Sequence, residues 1–232
     1  MRGWILPPAR EPVKTRDEFQ RERAAKVEEL ARLGYIKSER IRRALLTVCR
    51  EDFIPGPYRD YAYCEVPLPL PGERSTISCP HSYPLFYDPL GLDAGQRFLE
   101  VGLGSGYGTA VAREVVGAGG LVVAIEIDPV TYEFARANLA RVGYDDVVLV
   151  NDDGGLGYPP LQPFDSISIT AACKAVPAPL IDQLSPGGKL IAPVIAGQRQ
   201  ILVLTEKTAT GGVRTEEICD VLYVPLRGKY VV

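Results

Sequence analysis

Between residues 97 and 206 the chain alternates apolar runs with amphipathic stretches. The runs at 97–102, 121–126, 147–151, 164–170, 189–194 and 200–206 predict strands, and 107–116, 130–142 and 176–184 predict helices. The runs are nearly continuous rather than alternating, the pattern of a sheet covered on both faces. Helices between strands require parallel neighbours joined by right-handed crossovers. Beyond 206 the rhythm changes. Gly211 and Gly212 separate 200–206 from 214–225, which predicts a hairpin and an antiparallel edge. Upstream, Phe19, Ala24, Val27, Leu30 and Leu33 recur at helical spacing between a Thr15/Glu18 capping box and Gly34. Ile41, Leu45 and Val48 give a second helix over 38–49. These two predict a helical cap on the sheet, and residues 1–14, broken by Pro7, Pro8 and Pro12, an extended arm. The expected organisation is an extension with substrate-side loops over 1–90 and an α/β core over 91–232.

Residues 51–90 lose periodicity and are dense in proline and tyrosine. So long a loop in a compact chain is functional or disordered. Phe53, Tyr58, Tyr61, Tyr63, Tyr83, Phe86 and Tyr87 argue for order. The stretch is therefore read as an ordered surface near the site, able to close over it or to make contacts.

Composition narrows the function. A net charge of −3 offers no electrostatic case for nucleic acid or an anionic membrane. No apolar run approaches the ~20 residues of a membrane span. Trp4, Ile5 and Leu6 are too few for a signal-peptide core, and the chain is read as cytoplasmic. The 5 cysteines are scattered, with no CxxC and a single histidine, His81. They are read as free thiols, and no metal site is expected.

The chemistry centres on FLEVGLGSGYGTA (98–110), a strand that runs into glycines at every second position. Glycines permit the tight turn and let a ligand approach the backbone. No choice among Gly102, Gly104, Gly106 and Gly108 gives GxGxxG, which weakens a nicotinamide or flavin reading. Glu100 followed by this spacing resembles the first motif of S-adenosylmethionine-dependent methyltransferases. Glu126, at the tip of the second strand, is placed to accept from a ribose diol. Asp153, at the tip of the third, suits either an adenine amino group or a turn in which it holds a backbone amide.

The chain resembles the protein-L-isoaspartate (D-aspartate) O-methyltransferases from about Leu46 to Leu226. The likeness rests on REDFIP (50–55), PLPLPGERSTIS (67–78), FLEVGLGSGYGTA, IEIDP (125–129), DDG (152–154), ITAACKAVPAPLIDQLSPGGKLIAPV (169–194) and VLYVPL (221–226). It implies a Rossmann-like methyltransferase fold, with a mostly parallel seven-stranded sheet, an antiparallel C-terminal edge and an N-terminal helical cap. It implies methyl transfer from S-adenosylmethionine, leaving S-adenosylhomocysteine, to isoaspartyl carboxylates of damaged proteins. The ester then closes to a succinimide, part of which reopens as normal aspartate. Ser78 matches the hydroxyl beside the acceptor carboxylate and is the expected catalytic residue. The cofactor residues implied are Thr76, Ile77, Ser78, Glu100, Gly102, Gly104, Gly106, Tyr107, Glu126, Ile127, Asp152, Asp153, Gly154, Thr170 and Ala171. Ser78, His81, Ala172, Val176, Pro177 and Leu180 are implied on the substrate side.

The chain departs from the pattern at the PGERSTIS segment, at Cys79, at Asp152 and at Lys174. These changes bear on substrate choice more than on the cofactor. Three other readings stay open: methyl transfer to another substrate, a cofactor-binding module without turnover, and a nicotinamide oxidoreductase.

Overall fold

The computed structural model describes residues 6–72 and 75–230. Trp4 and Ile5 of the expected arm lie outside them, as do Glu73 and Arg74. Residues 6–14 have no regular secondary structure, and the amides of Val13 and Lys14 donate to the Asp60 carboxylate.

Helix α1 (Arg16–Arg32) starts on the expected capping box: Thr15 accepts from the Glu18 amide and Glu18 reaches back to Thr15. Ser38 caps α2 (Glu39–Thr47). A two-residue antiparallel pair follows, β1 (Leu68–Pro69) with β2 (Thr76–Ile77), and then α3 (Ser82–Leu90), closed by Gly91 in the left-handed region. The alternating core comes next: β3 (Arg97–Val101), α4 (Tyr107–Val116), β4 (Leu121–Glu126), α5 (Pro129–Arg141), β5 (Val148–Asn151), β6 (Phe164–Ile169) and α6 (Ala178–Asp182). The chain ends in β7 (Leu184–Ala196), β8 (Arg199–Lys207) and β9 (Val213–Val221).

Seven strands form one sheet in the order β5-β4-β3-β6-β7-β8-β9. The first five are parallel, and β8 and β9 add antiparallel to β7 and β8. This is the Rossmann-like α/β methyltransferase fold expected from the pattern. Antiparallel pairing begins one strand earlier than the glycine pair indicated, at the turn between Ala196 and Arg199.

Helix α3 is the element the pattern did not show. Its first turn contains Pro84, where no intrahelical N–H is needed, and Pro89 sits in its last turn. Phe86, Tyr87 and Leu90 are buried. One apolar core joins α1 and α2 to α3, α4 and their face of the sheet, and a second lies on the opposite face. The sheet reverses direction of winding beside β3, so the C-terminal ends of β3, β4 and β6 open onto one crevice, where open α/β sheets bind ligands.

Candidate active site

The crevice is a cavity of about 930 Å³, large enough for a nucleoside-sized cofactor and part of a second substrate. Its floor is the turn after β3. Gly102 has φ 97° and faces Thr170, whose Oγ1 would overlap any Cβ added there. Thr170 Oγ1 donates to the carbonyls of Val101 and Gly102, which ties the β3 turn to the end of β6. Gly108, in the first turn of α4, lies against the Glu100 carboxylate, where a side chain would collide.

Two carboxylates face the turn. Glu126 accepts from the Gly104 amide through Oε2 at 3.1 Å and from the Asp128 amide through Oε1 at 3.1 Å. Burial raises its pKa, and those two backbone donors oppose the shift. Each oxygen keeps a further lone pair for a ligand hydroxyl. Glu100 is 2% exposed and accepts from Thr109 Oγ1 at 2.5 Å and Tyr87 Oη at 3.3 Å. Burial pushes its pKa up to about 7, against the pull of those hydrogen bonds.

The opposite wall is the Thr76–Ile77 strand with Ser78, Cys79 and His81. Pairing of β1 with β2 brings it there, and Thr131 Oγ1, donating to the Pro71 carbonyl at 2.8 Å, ties the same loop to α5. Behind this wall Arg50 is 1% exposed. Its Nε donates to the Ala62 carbonyl and an Nη to the Ser78 carbonyl, both at 2.6 Å. Its guanidinium lies over the rings of Tyr83 and Tyr107. The third wall is the segment 219–227 beyond β9. The Leu226 amide donates to the Ala172 carbonyl and the Ala172 amide to Val224, which seats that segment beside the end of β6. Burial raises the Tyr223 phenol, with hydrogen bonds from Ser82 and Ser78 acting the other way.

Of the residues expected at the site, Thr76, Ile77, Ser78, His81, Glu100, Gly102, Gly104, Glu126, Ile127, Gly154, Thr170 and Ala171 line this one cavity. Others lie elsewhere. Gly106 packs on Leu139 of α5. Tyr107 is buried in the core behind Arg50. Asp152 is exposed and accepts from the Asp153 amide. Asp153 accepts from the Gly155 amide at 2.9 Å and the Lys229 amide at 2.6 Å. It holds the backbone amides of a turn and does not line the cavity. Ala172 is fully buried in the bridge to Pro225, and Leu180 is fully buried in the second core. Val176 and Pro177 lead into α6, outside the cavity wall, and Lys174 is exposed.

Arg50, Tyr223 and Arg227 were not singled out from sequence. Arg227 lines the cavity and pairs with Asp128 at 3.3 Å. Residues 50 and 221–226 do lie inside the stretches that carried the family resemblance, which was the available signal.

Comparison with known proteins points to one family. The family model for protein-L-isoaspartate(D-aspartate) O-methyltransferase matches residues 21–230. A protein-L-isoaspartate O-methyltransferase of Hyperthermus butylicus is 44% identical over 226 residues, 93% of each chain. One of Methanopyrus kandleri is 44% identical over 212 residues, 91% of this chain and 93% of that one. A solved protein-L-isoaspartate O-methyltransferase superposes with a TM-score of 0.82 at 33% identity, over 90% of this chain and 67% of the other. A Plasmodium falciparum protein assigned to the same enzyme class, solved with S-adenosyl-L-homocysteine, gives 0.79 at 25% identity over 88% and 98%. With a matching model that spans all but the first 20 residues and the last two, the chain belongs to the protein-L-isoaspartate(D-aspartate) O-methyltransferase family.

Proposed function

We propose that this protein methylates the side-branch carboxylate of isoaspartyl residues in damaged proteins, with Ser78 at the acceptor and Glu126 at the cofactor ribose. S-adenosylmethionine is the cofactor of the family, and it supplies a methyl group already activated on a sulfonium. The observation that carries the reading is the meeting of Ser78 with the Gly102–Gly104 turn and Glu126 in one cavity.

The chain's own part is small. An acceptor carboxylate has a reference pKa of ~3.9 and is already ionised near neutrality, so no general base is needed. Glu126 accepts the two ribose hydroxyls with the lone pairs left by Gly104 and Asp128. Ile127 and Gly154 flank the adenine side of the cavity, whose wall does not include Asp153. The Ser78 hydroxyl orients one oxygen of the acceptor carboxylate. Tyr83, Tyr223 and Leu222 line the acceptor side, where they exclude water from the nucleophile. Good alignment of two reactants lowers a barrier by roughly 7–11 kcal/mol, and alignment is what this site offers. The protein acts on isoaspartyl peptides and proteins in the cytoplasm, a compartment that suits its five unpaired cysteines.

Ser78→Ala tests the assignment. The expected result is a fall of about 10- to 100-fold in kcat, the scale of one lost orienting contact, with S-adenosylmethionine affinity within twofold of wild type. A tenfold loss of cofactor affinity would instead make Ser78 part of the cofactor pocket.

A further inference from the structure

At the mouth of the cavity three side chains from two segments of the chain meet. Glu65 precedes β1, Cys79 follows Ser78, and His81 sits at the start of α3. One potential ligand atom from each lies within 4.8 Å of the others. His81 Nδ1 is 2.6 Å from Glu65 Oε2, and Lys26 Nζ is 3.4 Å from Glu65 Oε1. The Tyr35 ring rests against His81, with centroids 5.4 Å apart. The Glu65–His81 hydrogen bond accounts for two of the three groups. It does not account for a thiol brought to the same point.

We propose that Glu65, Cys79 and His81 form a site for a thiophilic divalent cation of the zinc class, and that a cation held there closes the acceptor side of the cavity beside Ser78. A thiolate, an imidazole and a carboxylate are the donors zinc takes, and three protein ligands leave a fourth position open. Magnesium and calcium prefer all-oxygen shells. Bonds of about 2.0–2.3 Å in a tetrahedron put the donors roughly 3.3–3.8 Å apart, so the three need shifts of about an ångström. Tyr35 packs on the His81 ring and Lys26 pairs with Glu65 Oε1, which limits the freedom of both side chains. The Lys26 ammonium also repels a cation and keeps the affinity below that of a closed four-ligand site. All three ligands line the cavity next to Ser78, so a bound cation obstructs the acceptor peptide and leaves the glycine turn and Glu126 free.

Cobalt(II) is the probe. Titrated into the full chain, it should give a thiolate charge-transfer band and the strong visible bands of a tetrahedral site, at one equivalent. Cys79→Ala should abolish the charge-transfer band, Glu65→Gln should weaken cobalt affinity at least tenfold, and Cys64→Ala and Cys219→Ala should leave the spectrum intact. Absence of the band, or its survival in Cys79→Ala with normal thermal melts, overturns the site. The block rests on the methyltransferase reading and has its own readout: zinc should raise the apparent KM for an isoaspartyl peptide at least tenfold while S-adenosylmethionine affinity changes less than twofold. An equal loss of cofactor affinity overturns the block. If the peptide is not methylated at all, the functional reading fails, and the cobalt spectrum still decides the site.

Discussion

Arg50 offers the sharpest test of how the fold holds Ser78. Its guanidinium, 1% exposed, grips the Ser78 carbonyl and the Ala62 carbonyl at 2.6 Å each and stacks on Tyr83 and Tyr107. Hydrogen bonds from a charged donor contribute about 1.5–3 kcal/mol each, and the two ring contacts add roughly 0.5–2 kcal/mol apiece. Against these stands the cost of burying a guanidinium that has no carboxylate salt bridge among the described residues. Arg50→Met removes both sides of that balance, so the net destabilisation should be about 2–4 kcal/mol, within a domain's usual reserve of about 5–15 kcal/mol. The larger effect falls on turnover, because the Ser78 backbone loses its anchor, and a misplacement near 1 Å costs on the order of 100-fold. Arg50→Lys keeps the charge but cannot reach both carbonyls in the planar fork, so its kcat should fall with that of Arg50→Met. The assay is kcat and KM on an isoaspartyl peptide, run well below each variant's melting temperature, with cofactor affinity by calorimetry in parallel. Folded Arg50→Met that turns over at the wild-type rate would refute the anchor. Wild-type turnover confined to Arg50→Lys would show that charge, not geometry, is what matters.

If Glu126 accepts both ribose hydroxyls as proposed, Glu126→Ala should weaken S-adenosylmethionine binding by about 100-fold or more, at 1.5–3 kcal/mol per charged hydrogen bond; calorimetry that finds the wild-type dissociation constant would remove Glu126 from the cofactor site. Gly102→Ala meets both a φ of 97° and the Thr170 hydroxyl, whereas Gly143→Ala meets a φ of 84° and open space; urea melts should show a loss of about 1 kcal/mol at 143 and at least 2 kcal/mol more at 102, and equal losses would mean that the close approach is not limiting. Because the folded-state pKa of Glu100 is raised from 4.5 to about 7, its contribution to stability is full below 4.5 and is lost as pH rises through 7; Glu100→Gln should take from the melting temperature between those pH values a downward slope that amounts to at most about 3 kcal/mol, and an unchanged slope would place its source elsewhere.

The sheet was legible in the sequence because strands covered on both faces are written as unbroken apolar runs, and residues 97–102 and 121–126 read almost as they fold. Helix α3 was not legible. Its prolines and tyrosines look like loop, and only its burial against the core makes it a helix. The start of β7 was hidden by Pro186, Gly187 and Gly188, which read as a turn; the strand in fact begins at Leu184, and its pairing with β6 shifts register there. At the site, residues beside a strand end were readable, and Glu126 and Gly104 stand where the spacing put them. Contacts made across long separations were not. The grip of Arg50 on Ser78, the convergence of Glu65 with Cys79 and His81, and the return of Tyr223 and Arg227 to the cavity depend on packing that no local pattern encodes. Leu180 illustrates the converse, a residue carried over by resemblance that is fully buried in a core.

The central claim is that this cavity methylates isoaspartate and not aspartate. Incubation of the full chain with methyl-labelled S-adenosylmethionine and a peptide containing isoaspartate, beside its twin containing aspartate, tests it directly. The account predicts base-labile label on the isoaspartyl peptide alone. Label on both peptides, or cofactor bound with label on neither, would contradict it.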